Sequence, residues 1–103
     1  MIDFSKIEGF DWDIGNSTKN EKHAVSQIES EQAFLNEPLL LLPDLKHGAG
    51  EQRIHALGKT DLDRLLHITF TLRFSGSKIR VISARDMHRK ERAIYEKTTP
   101  RVT

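Results

Sequence analysis

Alternation of apolar and polar residues between positions 66 and 73 is the clearest pattern in the chain. Leu66, Ile68, Phe70 and Leu72 occupy alternate positions, and the residues between them are polar. Because successive side chains of a β-strand point to opposite faces, the pattern predicts a strand over 64–73 with one apolar face. A polar turn at 75–77 follows, which predicts a hairpin to a second strand over 78–84.

Three other segments also have strand patterns. Residues 10–13 alternate aromatic and acidic side chains, which predicts a short strand with both rings on one face. Residues 38–43 are a continuous apolar run between two prolines, typical of a short strand that begins at Pro38. Residues 52–57 alternate again, and we expect this strand to end at Gly58.

Helix signals flank these strands. Turn residues at 15–18 predict a short helix over 17–22. Ser26, with Glu29 three residues later, has the spacing of a capping box and predicts a second helix, whose buried face we expect to consist of Ile28, Ala33, Phe34 and Leu35. A third helix is predicted over 86–97, with Met87, Ile94 and Tyr95 facing inward.

The order of these elements predicts the fold class. A short strand, two helices, a run of strands and a last helix indicate an α+β fold, with an antiparallel sheet of about four strands, N-terminal helices and a C-terminal helix. One sheet face should pack against helices, and the other should be polar and accessible. A length of 103 residues is typical of one domain, so we expect a single domain over 1–103, with a core at about 10–97 and a tail at 98–103.

Composition excludes several classes of protein. The chain has no cysteine, which rules out disulfides, a thiolate nucleophile and cysteine metal sites. The N-terminus lacks the basic start and apolar stretch of a signal peptide, and the longest apolar run is too short to span a bilayer. We therefore expect a cytoplasmic protein.

Charge is distributed unevenly along the chain. Residues 1–51 have a net charge of −6, residues 52–77 of +2 and residues 78–103 of +5. A basic C-terminal segment is a candidate for contact with phosphate or with an acidic partner. The alternative is a solvated helix of mixed charge, which is the commoner reason for such a segment.

Two predicted strands have polar faces that suit phosphate chemistry. Glu51, Arg53 and His55 share one side of their strand, and on the next strand one side bears His67, Thr69, Thr71 and Arg73. RNA cleavage by the ribose 2′-hydroxyl requires a base, an acid and cations that stabilise the charged phosphate, and arginine suits the last task. The alternative is a solvated face with weak surface ion pairs. The histidines lack the spacing of a metal site.

Four blocks of sequence resemble the BrnT family of toxins. The first is the aromatic-x-Trp-Asp segment at 10–13, and the second is the Lys-His pair Lys22-His23 that precedes a helix. The third runs from Glu51-x-Arg53 to Leu57-Gly58, and the last consists of Arg-x-Ile-Ser-Ala-Arg at 80–85 followed by Glu-Arg-x-x-Tyr at 91–95. The resemblance covers about residues 10–97.

This resemblance implies a RelE-like fold and a ribonuclease that halts translation, without a cofactor or a metal. It also implies a BrnA-like antitoxin that binds DNA and holds the toxin inactive, so that operator DNA is contacted only through the complex. Under this reading the proton-transfer groups are Lys22, His23 and Glu51. Phosphate would be held by Arg53, Arg73 and Arg85, and RNA would also be contacted by Arg80, Arg92 and Tyr95.

Structural roles remain open for several of these residues. Arg85 and Glu91 would pair to fix the last helix, Glu51 and Arg53 would pair to hold the fold, and Tyr95 would pack in the core. Two other functions also stay open. One is a degenerate toxin that binds RNA or an antitoxin without cleavage, and the other is a DNA-contacting regulator acting alone, which the lack of a helix-turn-helix pattern disfavours.

Overall fold

The fold is described from a computed structural model that covers residues 4–16, 23–43 and 52–98. These ranges contain five strands and two helices of more than one turn: β1 (Gly9–Phe10), α1 (Gln27–Leu35), β2 (Leu40–Pro43), β3 (Ile54–Lys59), β4 (Leu65–Arg73), β5 (Lys78–Asp86) and α2 (Arg89–Thr98). Single helical turns lie at Phe4–Lys6 and at residues 14–16. The predicted helix over 17–22 falls outside the described residues, and so does the predicted tail after Thr98.

The strands form one sheet in the order β1-β5-β4-β3-β2. Strands β2 to β5 pair antiparallel with their neighbours, and β1 pairs parallel to β5 through two residues only. The predicted α+β class is therefore confirmed, with a short parallel strand added at one edge. Among the described residues, no helix is long and apolar enough to cross a membrane.

One face of the sheet packs against α1. Leu66, Ile68 and Phe70 of β4 are fully buried there, as their alternation predicts. Phe34 of α1 meets the ring of Phe70 edge to face, with 5.0 Å between ring centroids, and Phe10 from β1 lies 5.6 Å from Phe34. Trp12 packs against the same core, so both rings of the 10–13 segment share a face, although residues 11–13 lie outside the strand.

The buried face of α1 differs in part from the predicted one. Ser26 and Glu29 form the expected capping box, and Ala33 and Phe34 are buried. Ile28 and Leu35, in contrast, are 68% and 77% exposed. At 3.6 residues per turn these two positions align with each other and point almost opposite to Ala33 and Phe34, so their predicted burial is wrong.

Gly58 lies inside β3 and does not end it, because the strand continues to Lys59. A Cβ atom at Gly58 would lie 2.5 Å from the backbone oxygen of Ala33 in α1. Glycine is thus required for the close approach of α1 to the sheet. Gly58, which the sequence pattern predicted as the end of the strand, instead marks the contact with the helix.

The opposite face of the sheet is partly covered by α2. Leu57 is buried there against Met87 and Tyr95, and this second cluster also includes Leu40, Leu42 and Leu65. The Tyr95 hydroxyl donates a hydrogen bond of 2.7 Å to the Pro38 carbonyl. Ile94 is 45% exposed, so its predicted inward orientation is wrong.

An irregularity in β5 changes the order in which its side chains alternate. Thr69 pairs with Ser83 and Phe70 with Val81, which leaves Ile82 as an extra residue. Val81 and Ala84 are consequently both buried in the α1-facing core, although three positions separate them. Bulges of this kind redirect side chains along a strand.

Candidate functional site

The polar residues of β3, β4 and β5 lie on the same face of the sheet. His55 pairs with Thr69, so the predicted polar sides of β3 and β4 coincide. On β5, Arg85 lies opposite His67 and Arg80 lies opposite Thr71. We refer to this surface, on the side of the sheet that carries α2, as the polar face; its residues are Arg53, His55, His67, Thr69, Thr71, Arg73, Lys78, Arg80, Ser83 and Arg85.

Cations gather at one end of the polar face. Arg53 is exposed and comes directly before β3, where continuation of the β3–β4 register places it beside Thr71. Thr71 Oγ1 donates a hydrogen bond of 2.6 Å to the Gln52 carbonyl and so holds the main chain next to Arg53. Arg73 is also exposed and lies opposite Lys78. This end therefore offers basic side chains to a phosphate-bearing ligand.

Two histidines contact each other in the middle of the face. Nδ1 of His55 lies 3.1 Å from Nε2 of His67, and the ring centroids are 5.0 Å apart. Thr69 Oγ1 lies 3.1 Å from the same His55 nitrogen. His55 is half-buried, whereas His67 is only 8% exposed, so His67 is the more deeply buried of the two.

The surroundings of His67 oppose its protonation. Burial lowers its pKa to about 4, and the positive charge of Arg85 acts in the same direction, against a smaller opposite effect of the Glu91 carboxylate. At neutral pH the imidazole is therefore uncharged. Its Nδ1 atom is buried and has no hydrogen-bond partner among the residues that the structure describes.

An ion pair lies at the far end of the face. Arg85 donates two hydrogen bonds to Glu91 of α2, of 2.7 and 2.9 Å, which confirms the predicted pairing of these residues. Burial alone would raise the pKa of Glu91, but the bonds from Arg85 and from the His88 amide outweigh it and lower the pKa to about 2. Glu91 Oε2 also lies 3.8 Å from His67 Nε2. The bidentate pair joins the start of α2 to β5.

The predicted phosphate-binding arginines do not meet at one point. The register places Arg53 beside position 71 and Arg85 beside position 67, which are about 13 Å apart along β4 at about 3.3 Å per residue. His55, opposite position 69, lies between them, and His67 lies opposite Arg85. The arrangement suits an extended polyanion that crosses the face more than a single phosphate clamped by all the arginines.

The three residues predicted to add RNA contacts have different surroundings. Arg80 is on the polar face, but it pairs with Asp11 and Asp13 at 3.2 and 3.0 Å. Arg92 is exposed on α2 and donates to the Met87 carbonyl. Tyr95 is buried in the second core, which favours the packing role that its sequence context also allowed. Their roles in RNA binding stay predictions.

The predicted proton-transfer groups are placed only in part. Lys22 and Glu51 lie outside the described residues. His23 is exposed, and its carbonyl accepts a bond of 3.5 Å from Arg64. No contact between His23 and the polar face occurs within the part of the chain that the structure describes, so its role in proton transfer stays a prediction.

Arg64 anchors the segment that follows His23. It donates to Asp86 at 2.7 and 3.2 Å, to Glu29 at 3.0 Å and to the Ala24 carbonyl at 2.9 Å. Hydrogen bonds from Arg64 lower the pKa of Asp86. Ala24 has a φ of 55°, in the left-handed region that costs an L-residue free energy. The Arg64 network thus joins the start of α1 to the ends of β4 and β5.

The described residues contain no group of three or more histidine, aspartate or glutamate side chains placed to hold a metal ion. The sequence pattern places His55 and His67 on the polar sides of their strands but gives neither residue a role. Their spacing of twelve positions does not show that they are in contact until the register of β3 and β4 is known. The available signal was a histidine within the otherwise regular alternation of β4.

A family model described as the ribonuclease toxin BrnT of type II toxin–antitoxin systems matches residues 12–91. A search of curated proteins found no match. The matched range contains every residue of the polar face.

Proposed function

Because the chain belongs to the BrnT family of ribonuclease toxins from type II toxin–antitoxin systems, we propose that it is a metal-independent endoribonuclease that inhibits translation and binds RNA on the polar face. In this proposal the ribose 2′-hydroxyl attacks the adjacent phosphate. Arg53, Arg73 and Arg85 hold phosphate groups of the RNA strand. Arg80, Arg92 and Tyr95 extend the contact with RNA.

The observation that carries the proposal is the placement of cations along one sheet face. Arg53 and Arg73 are exposed at one end, and Arg85 remains 26% exposed at the other although it is paired with Glu91. Guanidinium groups bind phosphate oxygens through paired donors and stabilise the negative charge that builds up during transesterification. Rigid strands hold these side chains at fixed positions, as a catalytic surface requires.

Proton transfer in this proposal involves Lys22, His23 and Glu51. Lysine, histidine and carboxylate side chains all serve as general acids or bases when their pKa values are tuned to the working pH. The anchoring of the main chain by Arg64, next to His23, supports a fixed position for that histidine.

A type II toxin has a cognate antitoxin as its partner. The finer proposal is a BrnA-like antitoxin that binds DNA, so that operator DNA is contacted through the complex and not by the toxin alone. We also propose that the chain is one domain and that it acts in the cytoplasm, where its RNA substrate is found.

Induction of the chain alone in bacteria tests the proposal. Growth and RNA integrity are compared for the native chain, Arg53→Ala and the control Lys97→Ala, which removes an exposed cation from the last turn of α2. A charge-assisted hydrogen bond contributes about 1.5–3 kcal/mol, so Arg53→Ala should reduce RNA cleavage at least about tenfold. The control should remain toxic.

Purified protein provides the matching measurements. Cleavage of RNA by the native chain should be unchanged in excess EDTA, and Arg53→Ala should melt at the native temperature. A folded Arg53→Ala variant with native cleavage activity would contradict the role of Arg53. Loss of cleavage in EDTA, restored by a divalent metal ion, would contradict the metal-independent mechanism.

A further inference from the structure

The contact between His55 and His67 has features that packing alone does not explain. His67 buries a ring nitrogen, Nδ1, without a hydrogen-bond partner among the described residues. A buried polar atom of this kind costs free energy, about 1–3 kcal/mol. An apolar side chain of similar size would fill the same space without that cost. The same ring uses its other nitrogen, Nε2, to contact His55.

The charged and titratable groups around His67 come from three elements. His55 approaches from β3, Arg85 from β5, and Glu91 and His88 from the start of α2. Burial and Arg85 together keep His67 neutral at the pH of the cytoplasm. A neutral imidazole has one nitrogen that accepts a hydrogen bond, so His67 Nε2 is able to accept the Nδ1 proton of His55.

This hydrogen bond would give His55 the tautomer that a base requires. With its proton on Nδ1, the second nitrogen of His55, Nε2, has a lone pair. Thr69 Oγ1, at 3.1 Å from the same Nδ1, adds a second contact that fixes the ring. When His55 takes up the proton of the substrate, the neutral His67 still accepts the hydrogen bond from Nδ1 of the charged ring.

We propose that His55 is the catalytic base that removes the proton of the ribose 2′-hydroxyl, and that His67 is a positioning residue that orients the His55 ring from the adjacent strand β4. The proposal rests on the proposed function, because it assigns a proton-transfer role on the same face. It adds a specific base to the groups expected from the sequence.

The 2′-oxygen bonds to phosphorus while the bond between phosphorus and the 5′-oxygen breaks, and the proton of the 2′-hydroxyl moves to Nε2 of His55. The leaving 5′-oxygen takes a proton from an acid among the proposed proton-transfer groups. Solvent then removes the proton from His55 and returns one to that acid. The products are a 2′,3′-cyclic phosphate and a 5′-hydroxyl, and no oxidant or reductant is needed. The arginines of the polar face stabilise the charge on the phosphate oxygens.

Single-turnover cleavage of an RNA oligonucleotide by purified protein, measured from pH 4.5 to 8.5, tests this assignment. His55→Ala should slow cleavage by at least about 100-fold, the lower end of what general base catalysis contributes. The pH dependence of cleavage should also change, because the variant lacks the imidazole base. Binding of a fully 2′-O-methylated RNA of the same sequence, which lacks the nucleophile, should be unchanged.

Variants of His67 separate positioning from packing. His67→Phe keeps a ring of similar size but loses the acceptor, so cleavage should fall about tenfold while RNA binding and melting temperature are retained. His67→Gln places an amide oxygen near the position of Nε2 and should recover most of the lost rate. Lys97→Ala removes an exposed cation from the last turn of α2, and its rate and pH profile should match the native ones.

Each outcome decides a different question. If the native chain cleaves RNA to cyclic phosphate ends but His55→Ala keeps its rate within about threefold and its pH profile, His55 is not the base and the ribonuclease proposal stands. If His67→Phe and His67→Gln are equally slow, or both unaffected, His67 does not orient His55. If the folded native chain does not cleave RNA at all, the proposed function itself fails.

Discussion

Replacement of Gly58 by alanine should destabilise the fold through one backbone contact. The added Cβ would lie 2.5 Å from the Ala33 oxygen, 3.2 Å from its carbonyl carbon and 3.3 Å from its Cβ. Because Ala33 is fully buried in α1 and the closest atom is backbone, no side-chain rotation relieves the clash. The helix must move away until the new Cβ is at least 3.0 Å from the Ala33 oxygen, because shorter Cβ contacts are essentially never observed.

The expected cost is near the upper end of what an overpacked core shows, about 3 kcal/mol. For a protein of this size 1 kcal/mol corresponds to about 4–8 °C, so the melting temperature should fall by more than about 10 °C. Gly9→Ala is the matched control, because a Cβ there would meet only the mobile end of Lys78, at 3.6 Å. Circular dichroism at 222 nm during heating measures both variants.

The reasoning would be refuted if Gly58→Ala melted within about 2 °C of Gly9→Ala. Such a result would mean that α1 shifts without losing its contacts with the sheet. Urea denaturation should give the same ranking of free energies of unfolding, with unchanged m-values if both variants unfold in two states.

Two further predictions concern pH and the second core. Burial lowers the pKa of His67 from 6.5 in the unfolded chain to about 4 in the folded protein. As pH drops from 6.5 to 4, the unfolded chain therefore binds a proton at this histidine that the folded protein does not. The free energy of unfolding should fall by up to about 3 kcal/mol over this range. Urea titrations across this range should show a smaller decrease in the free energy of unfolding for His67→Phe than for the native chain. Equal decreases with pH would contradict the burial argument. Glu91, with a pKa near 2, contributes less to stability only below about pH 4.5. Tyr95→Phe removes the hydrogen bond to the Pro38 carbonyl and should lower stability by about 1 kcal/mol. Unchanged RNA cleavage in this variant would leave Tyr95 with a packing role alone, whereas impaired cleavage by the folded variant would support its proposed contact with RNA.

Local patterns were sufficient to predict most elements of the sheet. Alternation in β4, the turn before β5 and the capping box at Ser26 each depend on residues within a few positions of one another, and all three are confirmed. The parallel strand β1 was not predicted as such. It pairs through Gly9 and Phe10 alone, which is too short to produce a pattern.

The candidate site was less predictable, because its contacts depend on register between strands. The polar sides of β3 and β4 were recognised, but the direct contact of His55 with His67 requires the pairing of His55 with Thr69. Gly58 is a second position whose role depends on a contact between residues far apart in the sequence. A glycine after an apolar strand is a common end signal, and only the approach of α1 shows that this one admits a helix backbone.

The extra residue in β5 divides the strand into two segments that alternate with opposite parity in residue number. In a regular strand two side chains share a face only when an even number of positions separates them. Arg80 and Arg85 are five positions apart, yet they lie on one face, because Ile82 has no partner on β4 and the other positions give an even spacing. Deletion of Ile82 would leave Arg80 and Arg85 four positions apart, so a regular β5 would still carry both on the polar face. In β4, which has no extra residue of its own, deletion of one residue would exchange core and polar side chains along the strand beyond it.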